Sequence, residues 1–245
     1  MNLPPPSISA VPPESDGPSW AVRISRGAGA GIASAPGAWY EGSKRLGDII
    51  GAFIGLLVAA PFLLIIALWV RRDSRGPILH RRQVLARQPW PSCGQSGLGV
   101  FDAYKFRTMI ENADAILQSD PALRREYEKE YKLSRDPRVT RAGEILRAYS
   151  MDELPQFFNV LKGEMSLVGP RILSPPEILR YGDRGGTLLS VRPGLTGLWQ
   201  VSGRHSVPYE ERVRLDLWYI THRSFLLDLA ILWRTVGCVI SRSGA

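Results

Sequence analysis

The pattern of apolar and polar positions divides the chain into three regions. Residues 1–40 are rich in Pro, Ser, Gly and Ala and have no apolar run after Met1, which predicts a disordered tail rather than a signal peptide. Residues 41–75 contain one long apolar run, which predicts a membrane-anchoring helix. Residues 76–245 alternate short apolar and polar runs, which predicts a folded domain.

The apolar run Ile49–Val70 is long enough to cross a bilayer core of about 30 Å as a straight helix. Pro61, directly after Ala60, deletes one helix hydrogen bond and bends the axis. Basic residues flank both ends of the run: Lys44 and Arg45 before it, and Arg71, Arg72 and Arg75 after it. A spanning helix usually carries its basic excess on one side. The pattern therefore favours a re-entrant, Pro-kinked helix, with a single-pass transmembrane anchor as the alternative.

The remaining elements are short. Phe101–Met109 has strand character, residues 110–132 are helical and highly charged, and Glu144–Tyr149 predicts a short helix. Glu210–Ile220 predicts another helix, and the apolar stretch Phe225–Ile240 is typical of a helix at a membrane interface. Together they predict an α+β fold, a small membrane-associated domain with one re-entrant helix and interfacial amphipathic helices.

Two adjacent carboxylates, Asp152 and Glu153, open a predicted amphipathic helix that ends at Gly163. Its apolar positions follow helical spacing and predict one buried stripe: Leu154, Phe157, Phe158 and Leu161. Its start has two interpretations, a capping box between Ser150 and Glu153 or an N-cap at Asp152.

The acidic pair also has two interpretations. Acids are common at helix N-termini because the helix dipole favours negative charge there. The same setting binds phosphate and keeps a carboxylate ionised, so that Asp152 could attack phosphorus while Glu153 holds a metal ion.

The composition indicates which classes of ligand and metal the protein could bind. The chain has 31 basic and 23 acidic residues, a net charge of +8, which suits nucleic acid, anionic lipid or a phosphorylated ligand. The two cysteines, Cys93 and Cys238, have no motif partners, and the three histidines show no metal spacing. A bound metal is therefore expected to be held by oxygen, which favours Mg²⁺ or Mn²⁺.

From about Lys44 to about Ile240, the chain resembles the bacterial sugar transferases, monotopic phosphoglycosyl transferases that are also called polyprenyl-phosphate hexose-1-phosphate transferases. Each motif alone is weak, but their shared order is specific. The motifs are Lys44-Arg45-Leu-Gly-Asp48, the helix with Pro61, Gly76-Pro77, Lys105-Phe-Arg107-Thr-Met109, Asp136-Pro137-Arg138-Val-Thr140, Leu146-Arg147, Asp152-Glu-Leu-Pro-Gln156, Asn159-Val-Leu-Lys-Gly163, Met165-Ser-Leu-Val-Gly-Pro-Arg171, Arg192-Pro-Gly-Leu-Thr-Gly-Leu-Trp-Gln200, and Asp216 with Tyr219.

The resemblance implies transfer of a hexose-1-phosphate from a UDP-sugar to undecaprenyl (polyprenyl) phosphate, with release of UMP and a requirement for Mg²⁺. This is the initiating step of exopolysaccharide, capsule or O-antigen synthesis. It also implies a re-entrant helix in the bacterial inner (cytoplasmic) membrane, with the catalytic domain on the cytoplasmic face. With no further membrane segment ahead of the domain, the chain resembles the small members that consist of the catalytic domain alone.

The resemblance also assigns residues. Asp152 would attack the phosphorus that bears the sugar, giving a covalent phosphosugar–Asp intermediate, and Glu153 would hold Mg²⁺. Further residues are implied at the substrate phosphates or the nucleotide: Lys105, Arg107, Arg147, Pro170, Arg171 and Asp216.

Ordinary structural explanations remain for three of these residues. Arg147 can pair with Glu144 on its own helix, Arg107 can be a surface strand residue, and Asp216 can be a solvated helix acid. The chain also departs from the family pattern at two positions, where Ala60 replaces the usual serine before the helix-breaking proline and Ile172 replaces the second proline of Pro-Arg-Pro.

Two other classes of function compete with the enzyme. A catalytically silent scaffold of the same fold predicts loss of the acidic pair or of the phosphate arginines, and these residues are all present. A nucleic-acid binder needs clustered basic residues with a readable motif, whereas the basic clusters here flank an apolar helix and suit anionic membrane lipid. The sequence leaves the sugar, the polyprenol and the oligomeric state open, a dimer included.

Overall fold

The computed structural model describes residues 17–27, 38–87, 99–130, 133, 136–203 and 207–240. Its helices and strands are, in chain order, α1 (Ser19–Gly27), α2 (Ala38–Asp73), β1 (Leu79–Leu85), β2 (Val100–Phe106), α3 (Ala113–Ser119), α4 (Pro121–Glu130), α5 (Arg141–Ala148), α6 (Gln156–Lys162), β3 (Ser166–Val168), α7 (Gly185–Leu189), β4 (Gly194–Thr196), α8 (Leu198–Val201), α9 (Tyr209–His222) and α10 (Phe225–Ile240). Two 3-10 segments, Met151–Glu153 and Pro175–Arg184, complete them.

The apolar run forms part of α2, a helix of 36 residues that continues past Pro61. Among the described residues, α2 is the one helix long and apolar enough to cross a membrane, with a mean hydropathy of 2.8 over its most apolar 18 residues. Only 17% of its most apolar stretch is buried, whereas the core helix of a soluble protein would be mostly buried. A membrane anchor is therefore the fitting interpretation, and the re-entrant arrangement stays a prediction.

Part of the N-terminal region folds. Residues 19–27 form α1, which packs on α10: Ala21 is fully buried, and the Arg234 guanidinium lies 4.0 Å from the centre of the Trp20 ring. The prediction of disorder is therefore wrong for α1, because its apolar residues find a partner helix elsewhere in the chain. Residues 1–16 and 28–37 lie outside the described residues.

Two small sheets confirm the mixed helix-and-sheet class. β1 and β2 are antiparallel, with Leu79 opposite Phe106 and His80 opposite Lys105, while β3 and β4 are parallel. The main core gathers around Trp218, Tyr219 and Ile231, where α9 and α10 pack near the second sheet.

A smaller apolar cluster fixes the end of α2 to the domain. Ile66 and Val70 of α2 pack with Phe106 of β2 and Leu146 of α5. The last turns of the long helix are thus held against the two elements that, as shown below, carry Lys105 and Arg147.

The C-terminal helices lie close to the predicted ranges. α10 has the predicted bounds, with Leu227 and Ile231 buried. Its exposed face carries Phe225, Leu226, Leu229, Trp233 and Ile240. An exposed apolar face of this kind fits the predicted interfacial position. The charged stretch 110–132 differs from its prediction as one helical region, because it is divided into α3 and α4 at Asp120.

Candidate functional site

The acidic pair lies in a 3-10 turn, ahead of α6 rather than in its first turn. Ser150 adopts a left-handed conformation with φ 56° and ψ 23°, and Pro155 occupies the N-cap position of α6. Neither predicted cap of α6 forms, because Ser150 lies at the N-cap of the preceding 3-10 turn and its side chain makes no capping hydrogen bond. The chain reverses at Ser150, so that Met151–Glu153 form a separate turn that presents the two acids.

The buried face of α6 also differs from the predicted apolar stripe. Phe158 is 49% exposed, whereas Gln156 and Asn159 are fully buried. Asn159 accepts a hydrogen bond from the Tyr104 backbone N–H (3.0 Å) and donates to the Asp102 carbonyl (2.7 Å). These bonds join α6 to the edge of β2, because a side-chain amide can satisfy both backbone groups of a strand. The acidic turn is thereby fixed beside β2.

Lys105 of β2 lies against the acidic pair. Its Nζ is 2.5 Å from Glu153 Oε1 and 3.8 Å from Asp152 Oδ2. Asp152 is buried, while the Glu153 side chain keeps 31% of its surface exposed. The two neighbouring acids thus have different surroundings, one largely shielded from water and one partly open to it.

Opposing electrostatic effects keep Asp152 ionised and Lys105 protonated near neutral pH. The pKa of Asp152 is raised to about 6, chiefly by burial and also by the Glu153 charge, while the Lys105 and Arg147 charges lower it. Burial alone would lower the pKa of Lys105, but Glu153 and Asp152 raise it above its usual value. At pH 7, Asp152 is therefore mostly an ionised carboxylate in a poorly hydrated setting, beside a protonated lysine.

Arg147 approaches the acidic pair from α5. Its Nε donates to Thr108 Oγ1 (2.9 Å) rather than to Glu144, and Thr140 caps the start of that helix. Burial lowers the pKa of Arg147, and the Asp152 charge raises it. The structure thus brings Lys105 and Arg147 to Asp152 and Glu153, and this set is called the acidic site below.

Arg107 lies at the end of α2 and not in the acidic site. It is 6% exposed, and its guanidinium donates to the carbonyls of Val70 (3.2 Å), Ser74 (2.7 Å) and Arg75, at the end of α2. Interpretation as a surface strand residue is therefore wrong, and the structure does not bring Arg107 to the acidic pair. It satisfies carbonyl groups that a helix C-terminus leaves without partners. Ala60 and Pro61 are exposed positions within α2.

Arg171 lies in a second cluster. Its Nη2 donates to Glu177 Oε1 (3.0 Å), and its guanidinium lies 5.3 Å and 5.8 Å from the ring centres of Tyr209 and Trp199. Its Nη1 is buried with no hydrogen-bond partner among the described residues. Pro170, directly before it, is buried and accepts a hydrogen bond from the Gly194 N–H (2.8 Å).

Asp216 belongs to the same cluster but is fully buried, so its interpretation as a solvated helix acid is wrong. It accepts hydrogen bonds from the Arg171 N–H (3.3 Å) and the Tyr181 hydroxyl (3.3 Å). Burial raises its pKa to about 7, although Arg171 and Tyr181 lower it. Asp216 therefore supports the turn that carries Arg171.

Two residues of this cluster, Glu177 and Arg82, were not predicted from the sequence. Glu177 is fully buried and accepts hydrogen bonds from Ser174 N, Ser174 Oγ and Arg171, and also from Arg82 of β1. A signal for Glu177 was present, because Ser174 and Glu177 form the Ser-x-x-Glu capping box around Pro175. Arg82 had no comparable signal, since its position depends on the register of β1 against β2.

The acidic pair fits a magnesium ion shared with a phosphorylated ligand. Within the described part of the chain, no group of three or more His, Cys, Asp or Glu side chains could hold an ion by itself. Magnesium commonly takes one or two protein carboxylates and completes its shell with substrate phosphates and water. Asp152 and the partly exposed Glu153 offer that kind of oxygen donor.

Comparison with known proteins places these features in one family. The sequence model of the family "Bacterial sugar transferase" matches residues 39–242. An uncharacterized sugar transferase of Haemophilus influenzae is 43% identical over 206 residues, which are 82% of this chain and 42% of that protein. The undecaprenyl-phosphate galactose phosphotransferase of Salmonella typhimurium is also 43% identical over 206 residues, which are 82% of this chain and 41% of that protein.

A third relative is similar over most of its length. The exopolysaccharide production protein ExoY of Sinorhizobium fredii is 41% identical over 209 residues, which are 83% of this chain and 88% of that protein. The chain therefore spans about two fifths of the first two relatives and most of the third. Since the family match covers far more than half of the residues, the chain belongs to the bacterial sugar transferase family.

Proposed function

We propose that the protein transfers a hexose-1-phosphate from a UDP-sugar to undecaprenyl phosphate and releases UMP. The observation that carries the proposal is the acidic site, in which a buried Asp152 lies beside Glu153, Lys105 and Arg147. The names of two relatives support it, an undecaprenyl-phosphate galactose phosphotransferase and a UDP-glucose:undecaprenyl-phosphate glucose-1-phosphate transferase.

In the first step, a carboxylate oxygen of Asp152 attacks the sugar-bearing phosphorus. A new P–O bond forms to Asp152, the bond to the bridging oxygen breaks, and UMP leaves with the electron pair. Asp152 suits this role because it is mostly ionised at pH 7 and poorly hydrated.

In the second step, an oxygen of undecaprenyl phosphate attacks the same phosphorus and regenerates Asp152. Two transfers through one nucleophile let a single site serve a water-soluble donor and a lipid acceptor in turn. The product is an undecaprenyl diphosphosugar.

The neighbouring residues have separate roles in this scheme. Lys105 balances the negative charge of the acidic pair and of the incoming phosphate, and Arg147 offers a guanidinium near Asp152. Glu153 would hold Mg²⁺ or Mn²⁺. When bound, the ion neutralises charge on the diphosphate and stabilises the leaving phosphate.

Helix α2 supports a position at a membrane, where the lipid acceptor resides. The proposal places α2 as a re-entrant helix in the bacterial inner membrane, with the acidic site on the cytoplasmic face and anionic lipid at the flanking basic residues. The pathway would be exopolysaccharide, capsule or O-antigen synthesis, in keeping with relatives named as exopolysaccharide production proteins.

Release of UMP from a panel of UDP-sugars tests the proposal, with Mg²⁺, in the presence and absence of undecaprenyl phosphate. Wild type is expected to turn over one preferred donor when the lipid is present, and to release about one UMP per protein without it. Asp152→Asn is expected to do neither, while Glu144→Gln, an exposed acid on α5, serves as the matched control. Steady release by Asp152→Asn would refute the covalent mechanism, and folded wild type without any release would support the silent scaffold.

A further inference from the structure

Strand β1 carries a row of side chains toward the acidic site. His80 is the direct partner of Lys105, and directly paired residues of an antiparallel sheet point to the same face. Arg82 lies two residues further along β1 and therefore shares that face, as a diagonal neighbour of Lys105 within reach of long side chains. Arg81, between them, points to the opposite face.

Arg82 is held in place at its far end. Its Nη2 donates to Glu177 Oε2 (3.1 Å), and Arg171 donates to the other oxygen of the same carboxylate (3.0 Å). Glu177 is fully buried, whereas the Arg82 side chain keeps 38% of its surface exposed. One buried carboxylate thus orients two guanidinium groups, and Arg82 remains accessible from solvent.

The result is a row of three cations, Lys105, Arg82 and Arg171. It runs from the acidic pair to the rings of Trp199 and Tyr209. The Arg82 charge lowers the pKa of both Lys105 and His80, which shows that Arg82 lies close to them. Glu177 offsets part of the charge of Arg82 and Arg171, but the Arg82 side chain stays 38% exposed, so the row can still bind a ligand that carries more than one negative group.

We propose that Arg82 binds the nucleoside-side phosphate of the sugar-nucleotide donor and keeps its contact as that phosphate leaves in UMP. The inference rests on the proposed function, in which Asp152 takes the sugar-bearing phosphate. The second phosphate of the diphosphate must lie next to the first, and Arg82 is the next cation along the row. Glu177 is a positioning residue, because it orients Arg82 without facing the substrate.

Binding of UMP and of uridine to the full chain in detergent, measured by calorimetry, tests this assignment without requiring turnover. Wild type is expected to bind UMP more tightly than uridine. Arg82→Ala is expected to weaken UMP binding roughly 10- to 100-fold, the usual contribution of a charge-assisted hydrogen bond, and to leave uridine binding unchanged within about twofold. Arg81→Ala, its matched control on the other face of the strand, is expected to leave both affinities unchanged.

Three outcomes would overturn the assignment. Equal weakening of UMP and uridine by Arg82→Ala would show a structural role only, and unchanged UMP binding would show no phosphate contact. Wild type that binds neither ligand would contradict the proposed function itself and the assignment with it. If Arg82→Ala fails to fold, Arg82→Gln must show the same selective loss, since glutamine can still donate to Glu177 but carries no charge.

Discussion

Asp152 and Asp228 are both buried carboxylates close to a lysine, but their hydrogen bonding differs. Asp228 of α10 accepts hydrogen bonds from the Tyr40 hydroxyl (2.9 Å), Lys44 Nζ (2.8 Å) and the Tyr219 hydroxyl (2.7 Å). Across the described residues, no side chain donates a hydrogen bond to the Asp152 carboxylate, and Lys105 Nζ lies 3.8 Å away.

Under the proposed function, this difference separates a structural acid from the nucleophile. The bonds of Asp228 join α2, α9 and α10, so the charge is compensated at the cost of its reactivity. Asp152 keeps the desolvation that raises its pKa, with a backbone hydrogen bond but no side-chain donor among the described residues. Burial beside a lysine therefore does not by itself distinguish a nucleophile from a structural acid.

The largest expected effect is on catalysis. Asp152→Asn should lower the rate of sugar-phosphate transfer by at least about 10³-fold, because an amide cannot form the acyl phosphate. The folded state binds the Asp152 proton more tightly than the unfolded chain does, so stability falls as pH rises toward about 6, and the loss persists at pH 7. The neutral variant should thus unfold at a higher temperature than wild type at pH 7. A destabilised Asp152→Asn would show that its charge supports the fold, as at Asp228.

Replacement of the other acid, Asp228, should act on stability. Asp228→Ala removes three hydrogen bonds and leaves the Lys44 ammonium without its partner, which should cost about 3 kcal/mol of the free energy of unfolding. In a chain of this size, that corresponds to a drop in Tm on the order of 6–12 °C, measured by thermal unfolding in detergent. Asp183→Ala, an exposed acid, is the control and should leave Tm unchanged. Unchanged stability of Asp228→Ala would contradict the comparison.

The pH profile of the reaction tests the effect of Lys105 on Asp152. The rate of UMP release by wild type should fall as pH drops below about 6, where Asp152 takes up a proton. Lys105→Met should move this acid limb to higher pH, since Lys105 lowers the pKa of Asp152. Lys105→Arg, which keeps the charge, should leave the limb near its wild-type position. Initial rates on both sides of pH 6 test this, and identical limbs in wild type and Lys105→Met would exclude Asp152 as the titrating group.

The smallest expected effect concerns the backbone that presents the acids. Ser150 is the one non-glycine residue with positive φ in the described part of the chain. Ser150→Gly should relieve this conformation and raise the free energy of unfolding by up to about 1 kcal/mol. Gly163→Ala, at φ 85°, should have the opposite sign. A loss of stability in Ser150→Gly would mean that the serine side chain contributes more than its conformation costs.

The features that were predicted correctly from the sequence are those that a local pattern of residues determines. The apolar run of α2, the bounds of α10 and the end of α6 at Gly163 follow from hydrophobic periodicity and glycine. The association of Lys105 and Arg147 with the acidic pair followed from the family motifs and not from spacing alone.

Other features depend on contacts between distant elements. The helical stripe predicted Phe158 inside, but periodicity cannot show that Gln156 will be buried or that Asn159 will face β2. The position of Arg82 follows from strand register, which the long connection between β1 and β2 does not reveal. The interpretations of Arg107 and Asp216 as exposed residues failed because each is buried against an element far away in the chain.

The contact of Arg107 with the end of α2 couples the position of this helix to the position of Lys105. The guanidinium of Arg107 donates hydrogen bonds to carbonyls at the C-terminal end of α2, and a single residue separates Arg107 from Lys105 in the chain. A displacement of α2 along its own axis would therefore carry Lys105 with it. Under the proposed function, a bilayer that fixes the depth of α2 would thereby also fix the distance between Asp152 and the membrane surface, where the phosphate of the lipid acceptor lies.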